Sequence, residues 1–241
     1  MKRIFAAVLC LAIFSAGCGP RMRPAAVPID KVFYGSSENT STVVVFLPGR
    51  EDDVNAFECH GFVDAIRQQN ISADMVAVDA HLGYYAEKTL ADRMKQDVIG
   101  PARSAGYDRI WLAGVSMGSL GALLYLKHHP EEIDGVILIG PYLGDNEIID
   151  EIRNAGGLAA WTPGDVGADD WQRTLWKGLR DMHGKKLPPI YLAYGKDDRY
   201  AGGAELFAPL LPADRVSTVP GGHDWRTWHT LWKRFLARNV L

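Results

Sequence analysis

Short, largely apolar runs, several of them rich in Val and Ile, fall at 42–47, 75–79, 109–115, 136–140, 190–194 and 216–219. Runs of this kind, apolar without alternation, are strands buried on both faces, and they predict a mainly parallel sheet covered by helices. Between them, polar and apolar positions recur at helical spacing over 55–69, 88–104, 117–129, 203–211 and 224–238. The order is β-α repeated, with no internal sequence repeat, so the pattern predicts one α/β domain over 31–241 with helices on both faces of the sheet. Residues 31–34 predict an added edge strand, paired to the next one through a turn at 35–39.

Two segments depart from the alternation. The stretch 144–188 carries Trp161, Trp171 and Trp176 among Gly, Asp and Pro. It is too long for a structureless loop in a compact domain, so it predicts a helical cap insertion, with 170–182 as its clearest helix. Residues 18–30, with Pro20, Pro24 and Pro28, predict a stiff, extended tether.

Composition narrows the classes. The 241 residues are 47% apolar and 23% charged, and the net charge is −3, which excludes the basic footprint of a nucleic-acid binder. A domain of this size buries a sufficient core without a structural metal or disulfides. The amino terminus reads as a processing segment. Met1-Lys2-Arg3 supplies positive charge, 4–14 is an apolar run, and Ser15-Ala16-Gly17 precedes Cys18. This resembles a bacterial lipoprotein signal. The resemblance implies removal of 1–17, a lipid on Cys18, export, and attachment to a membrane of the cell envelope. Cys59 then has no intramolecular partner, which predicts a disulfide-free domain. In Phe57-Glu58-Cys59-His60 it reads as a small buried helical residue rather than half of a Cys/His catalytic pair.

The chemistry centres on Gly114-Val115-Ser116-Met117-Gly118, between an apolar strand and a helix. A strand-to-helix turn this sharp needs small neighbours and lifts the serine hydroxyl above the sheet edge. A serine hydroxyl needs a general base oriented by a carboxylate. Both follow in the order Ser, Asp, His: Gly195-Lys196-Asp197-Asp198 after one strand, and Gly221-Gly222-His223-Asp224-Trp225 after the next. The carboxyl ends of parallel strands share one rim, so Ser116, Asp198 and His223 are expected together there. His128 and His129 read as partners of a helix carboxyl terminus, and Asp224 as a cap of the last helix. Leu47-Pro48-Gly49-Arg50 ends an early strand in a turn that exposes backbone N–H groups, and Arg50 and Met117 N–H are the expected oxyanion donors. The Arg50 side chain, beside Glu51, Asp52 and Asp53, reads as a surface ion-pair partner. Trp225, Trp228 and Trp232 form a core stripe, with Trp225 placed for the pocket rim.

On these motifs the chain from about residue 31 onward resembles the α/β-hydrolase family, particularly its esterase and lysophospholipase-like branches. The HGGG run of many lipases is absent, with Leu47-Pro48-Gly49-Arg50 in its place. The resemblance implies a serine hydrolase that cleaves small-molecule or lipid-like carboxylic esters through an acyl-enzyme, without metal or organic cofactor. It also selects Asp198 over Asp197, because the acid in such hydrolases stands three residues after the glycine that ends its strand. Thioesterase or peptidase activity with the same triad, or a non-catalytic surface binding lipoprotein, remain open at this point.

Overall fold

The computed structural model describes residues 23–36 and 39–241. The signal expected at 1–17 and the lipidation site Cys18 lie outside the described residues. The strands are β1 (Lys31–Tyr34), β2 (Thr42–Leu47), β3 (Asp74–Val78), β4 (Arg109–Val115), β5 (Gly135–Ile139), β6 (Ile190–Gly195) and β7 (Val216–Val219). The helices are α1 (Ala56–Cys59), α2 (Phe62–Gln68), α3 (Leu82–Ala86), α4 (Leu90–Met94), α5 (Gly100–Ser104), α6 (Met117–His128), α7 (Asn146–Asn154), α8 (Trp171–Met182), α9 (Ala201–Phe207) and α10 (Trp225–Leu236).

The seven strands form one sheet in the order β1-β3-β2-β4-β5-β6-β7. All pairs are parallel except β1 with β3. Successive side chains of a strand point to opposite faces, and β2 shows why its run is apolar throughout. Val43, Val45 and Leu47 pack into a layer with Tyr84, Met94, Leu123, Ile149 and Trp176. Val44 and Phe46 pack into the other layer with Phe57, Phe62, Trp228 and Trp232. Helices α1, α2 and α10 thus cover one face, and helices from α3 to α9 supply the other.

Three expectations change. The edge strand β1 pairs with β3 through Lys31 opposite Val78 and Tyr34 opposite Met75, so it does not form a hairpin with β2. The helix expected over 55–69 breaks at Gly61, whose φ of 77° is a left-handed conformation that ends α1 and starts α2. Cys59, expected buried, is exposed on the short α1. The insertion between β5 and β6 is helical as expected, with α8 at the expected place and α7 before it.

The tether expected at 18–30 is also different in its later part. Residues 23–30 lack regular structure but are docked on the domain. Arg23 pairs with Asp79 at 2.7 Å, Tyr84 Oη both accepts from Ala26 N–H and donates to its carbonyl at 3.1 Å, and Ile29 is only 1% exposed, its N–H donating to Asp97 at 2.9 Å. Asp97 lies in a π-helical stretch, Lys95–Ile99, that joins α4 to α5. We refer to 23–30 as the strap.

Candidate active site

Ser116 joins β4 to α6 with φ 51° and ψ −117°, a strained conformation for a residue with a side chain. The flanking glycines are required sterically. A Cβ on Gly118 would drive into the Leu47 carbonyl, and one on Gly114 into the Gly118 carbonyl. The turn is held by Ser116 N–H donating to the Ile139 carbonyl at 3.0 Å and by Tyr142 N–H donating to the Ser116 carbonyl at 3.2 Å.

The three expected side chains meet. His223 Nε2 lies 2.9 Å from Ser116 Oγ, and His223 Nδ1 lies 2.8 and 3.0 Å from the two oxygens of Asp198. With the carboxylate accepting from Nδ1–H, Nε2 is left to accept the serine proton. The His223 and Asp198 side chains are 8% and 1% exposed. Trp228 and Tyr200 press edge-on against the imidazole, with ring centroids 4.8 and 4.7 Å away. Asp197 turns away from the histidine, and its carboxylate accepts from Gly221 N–H at 3.0 Å. Asp224 accepts from Thr227 N–H at 2.9 Å and caps α10.

Met117 is the first residue of α6, where a backbone N–H has no partner within the helix. The Gly49–Asp52 turn, closed by Asp52 N–H to the Gly49 carbonyl at 3.3 Å, runs beside it, and a Cβ on Gly49 would stand 3.7 Å from Ser116 Cβ. Arg50 therefore belongs to the loop next to the nucleophile. Its guanidinium makes no ion pair among the described residues, contrary to expectation, although Glu51, Asp52 and Asp53 are adjacent. Burial raises the pKa of Asp52, which accepts from Trp225 Nε1–H at 3.2 Å. Tyr85 of α3 donates to the Met117 carbonyl at 3.1 Å, and burial holds its phenol well above the usual range.

Ser116 and His223 open onto a cavity of about 1160 Å³. Beyond the triad it runs between α6 and α8, lined by Leu120, Leu123 and Leu124 from one helix and Leu175, Leu179 and Met182 from the other. Of the three tryptophans expected at a pocket, Trp171 lines it, whereas Trp161 and Trp176 are 2% and 0% exposed in the core. Trp225 lies at the rim as expected, stacked on His60 at 4.4 Å. Tyr142 and Tyr200, which the sequence reading did not single out, also line the cavity. At the opposite end of α6, His129, Glu131 and Glu132 could bring ligand atoms together, but Glu132 is held by Lys95 and Tyr125.

The family described as serine aminopeptidase, S33, matches residues 91–169, a stretch that holds Ser116 but not Asp198 or His223. No curated protein matches the chain. Among solved structures, an S-formylglutathione hydrolase from Staphylococcus aureus is similar at 13% identity and TM-score 0.59, over 91% of this chain and 98% of that one. The monoacylglycerol lipase of Paleococcus ferrophilus (13%, 0.57) is covered over 99% of its length by 88% of this chain. Est1E from Butyrivibrio proteoclasticus (17%, 0.57) is covered over 94% by 88%. Sheet order, nucleophile turn and these likenesses agree that the chain has the α/β-hydrolase fold.

Proposed function

We propose that the protein is a serine hydrolase that cleaves carboxylic esters. The observation that carries this reading is the unbroken hydrogen-bonded chain from Asp198 through His223 to Ser116, set at the mouth of an apolar cavity. Ser116 Oγ attacks the ester carbonyl while His223 Nε2 takes its proton, and the imidazolium is stabilised by the Asp198 carboxylate. Met117 and Arg50 N–H groups stabilise the oxyanion. His223 then returns the proton to the departing alcohol, and a water activated by the same nitrogen releases the acid. The groove between α6 and α8 favours a linear acyl chain. From Met117 to Lys127 the helix rises about 15 Å, room for a chain of roughly ten to twelve carbons.

We also propose attachment to a membrane of the bacterial envelope through a lipid on Cys18, which rests on the shape of the amino-terminal segment. A fluorophosphonate, together with a chain-length series of aryl esters and matched thioesters and peptides, tests the catalytic reading. Labelling lost in Ser116→Ala and turnover highest on medium-chain esters are expected. Folded protein that neither labels nor turns over any of the three classes would identify a binding module instead.

A further inference from the structure

We propose that Arg50 and Arg199 form a subsite for an anionic group on the alcohol half of the substrate, an inference that rests on the ester-hydrolase reading above. Of the fourteen described arginines, ten are tied to a carboxylate, a backbone carbonyl or a hydroxyl. Two of the other four, Arg50 and Arg199, line the catalytic cavity.

Both arginines line the cavity together with a tyrosine pair that abuts the catalytic histidine. Arg199 packs 5.0 Å above the Tyr200 ring. Tyr200 meets His223 on one side and the Tyr142 ring, 5.1 Å away, on another. Arg50 lines the same cavity as Tyr142, on the loop that runs beside Ser116.

Carboxylates at this mouth have other partners. Asp145 accepts from Tyr142 Oη–H at 2.6 Å and Gln172 Nε2–H at 2.9 Å. Asp52 is held by Trp225, Asp224 by the α10 cap, and Asp169 faces Lys88 at 3.4 Å. Glu51, exposed next to Arg50, is the remaining acid.

The cavity is thereby divided by chemistry. Its apolar arm leads from Ser116 along α6 and α8, whereas Arg199 packs on Tyr200, whose ring abuts His223, the group that protonates the leaving alkoxide, and Arg50 lies on the loop beside Ser116. In the acylation step the acyl–oxygen bond breaks, the acyl group stays on Ser116 Oγ, and the alcohol departs with the proton from His223. A phosphate or carboxylate on that alcohol would be met by planar guanidiniums, whose donor forks match either anion. Both arginines are solvent-accessible, so the attraction is screened by salt and moderate in size.

The test uses three esters of one acyl chain, with glycerol, glycerol phosphate or a hydroxy acid as the alcohol. At low ionic strength the wild type should prefer the anionic esters in kcat/KM by about tenfold, through KM, and lose the preference in about 0.5 M salt. Arg199→Gln and Arg50→Gln should each reduce the ratio of anionic to neutral kcat/KM, and Arg199→Lys should restore part of it. Preference for the phosphate ester alone would identify the anion as phosphate, and preference for both would identify a general anion site. Equal turnover of all three by the wild type, or an equal loss on all three in the variants, overturns the subsite while leaving the hydrolase reading intact. No turnover of any ester by protein that also fails to label at Ser116 overturns both.

Discussion

Asp197 and Asp198 are neighbours with divergent partners: Asp198 gives both its oxygens to His223 Nδ1, at 2.8 and 3.0 Å, and Asp197 spends its carboxylate on Gly221 N–H. The tight turn after β6, closed by Asp198 N–H donating to the Gly195 carbonyl at 3.2 Å, sets one toward the histidine and the other into the loop. Asp198→Asn should lower turnover by about four orders of magnitude with the fold retained. Asp197→Asn, which keeps an acceptor for Gly221, should cost less than tenfold. Steady-state kinetics with circular dichroism on both proteins checks this, and the reverse ranking would transfer the orienting role to Asp197.

Trp161, Trp171 and Trp176 should separate in their effects. Trp171, 41% exposed and on the cavity wall, should alter chain-length preference when changed to Ala, with little loss of stability. Trp161 and Trp176 are core residues, and their truncation should cost about 3–5 kcal/mol in urea unfolding. Unchanged selectivity in Trp171→Ala would separate the acyl chain from this wall.

Gly178 lines the apolar arm on α8. A Cβ there would meet the Lys127 side chain at 3.8 Å, in ordinary contact, so a larger residue fits by filling the groove. Gly178→Leu should therefore shorten the preferred acyl chain by several carbons. Removing a glycine from a helix interior favours folding by up to about 1 kcal/mol, so the melting temperature should not fall. An unshifted chain-length profile would place the acyl chain elsewhere.

His81 caps α3 through Nδ1, which accepts from Gly83 N–H at 3.1 Å. Burial, and next the Arg23 charge, lowers its pKa in the folded protein. In the unfolded chain the value is about 6.5. The unfolded state therefore binds more protons between the two values. The stabilisation is complete above about pH 6.5 and is lost as the pH falls through the lower folded value. His81→Asn keeps a capping acceptor and does not titrate, so its urea midpoint should drop less than that of wild type between pH 7.5 and 5.5. Equal drops would assign the acid sensitivity to other groups, His229 among them, whose pKa burial also lowers.

What was legible in the sequence was local. β4, the nucleophile turn and α6 follow one another within 20 residues, and the glycines at 114 and 118 report their own crowding. Asp198 and His223 were found because each leaves a strand through a glycine-bearing loop. Partners chosen across the fold were not legible. β1 selects β3 through sheet register, and α3 is a single short turn of helix with too few residues to show a period. Tyr142 and Tyr200 reach the site only because the ends of β5 and β6 converge. A Pro-rich strap reads as a free tether because its binding partners, Tyr84 and Asp97, stand more than 50 residues away.

The docked strap sets how far the α/β-hydrolase domain can travel from Cys18. From Cys18 to Arg23 there are five peptide steps, which span at most about 17 Å even when fully extended. A lipid on Cys18 would therefore moor the domain at the bilayer surface, with little more than its own tumbling left to it. Esters diffusing in the same leaflet would be met by a two-dimensional search, while soluble esters would have to arrive from the bulk. Lengthening the 19–22 stretch would loosen that geographical bias without altering a single residue of the site.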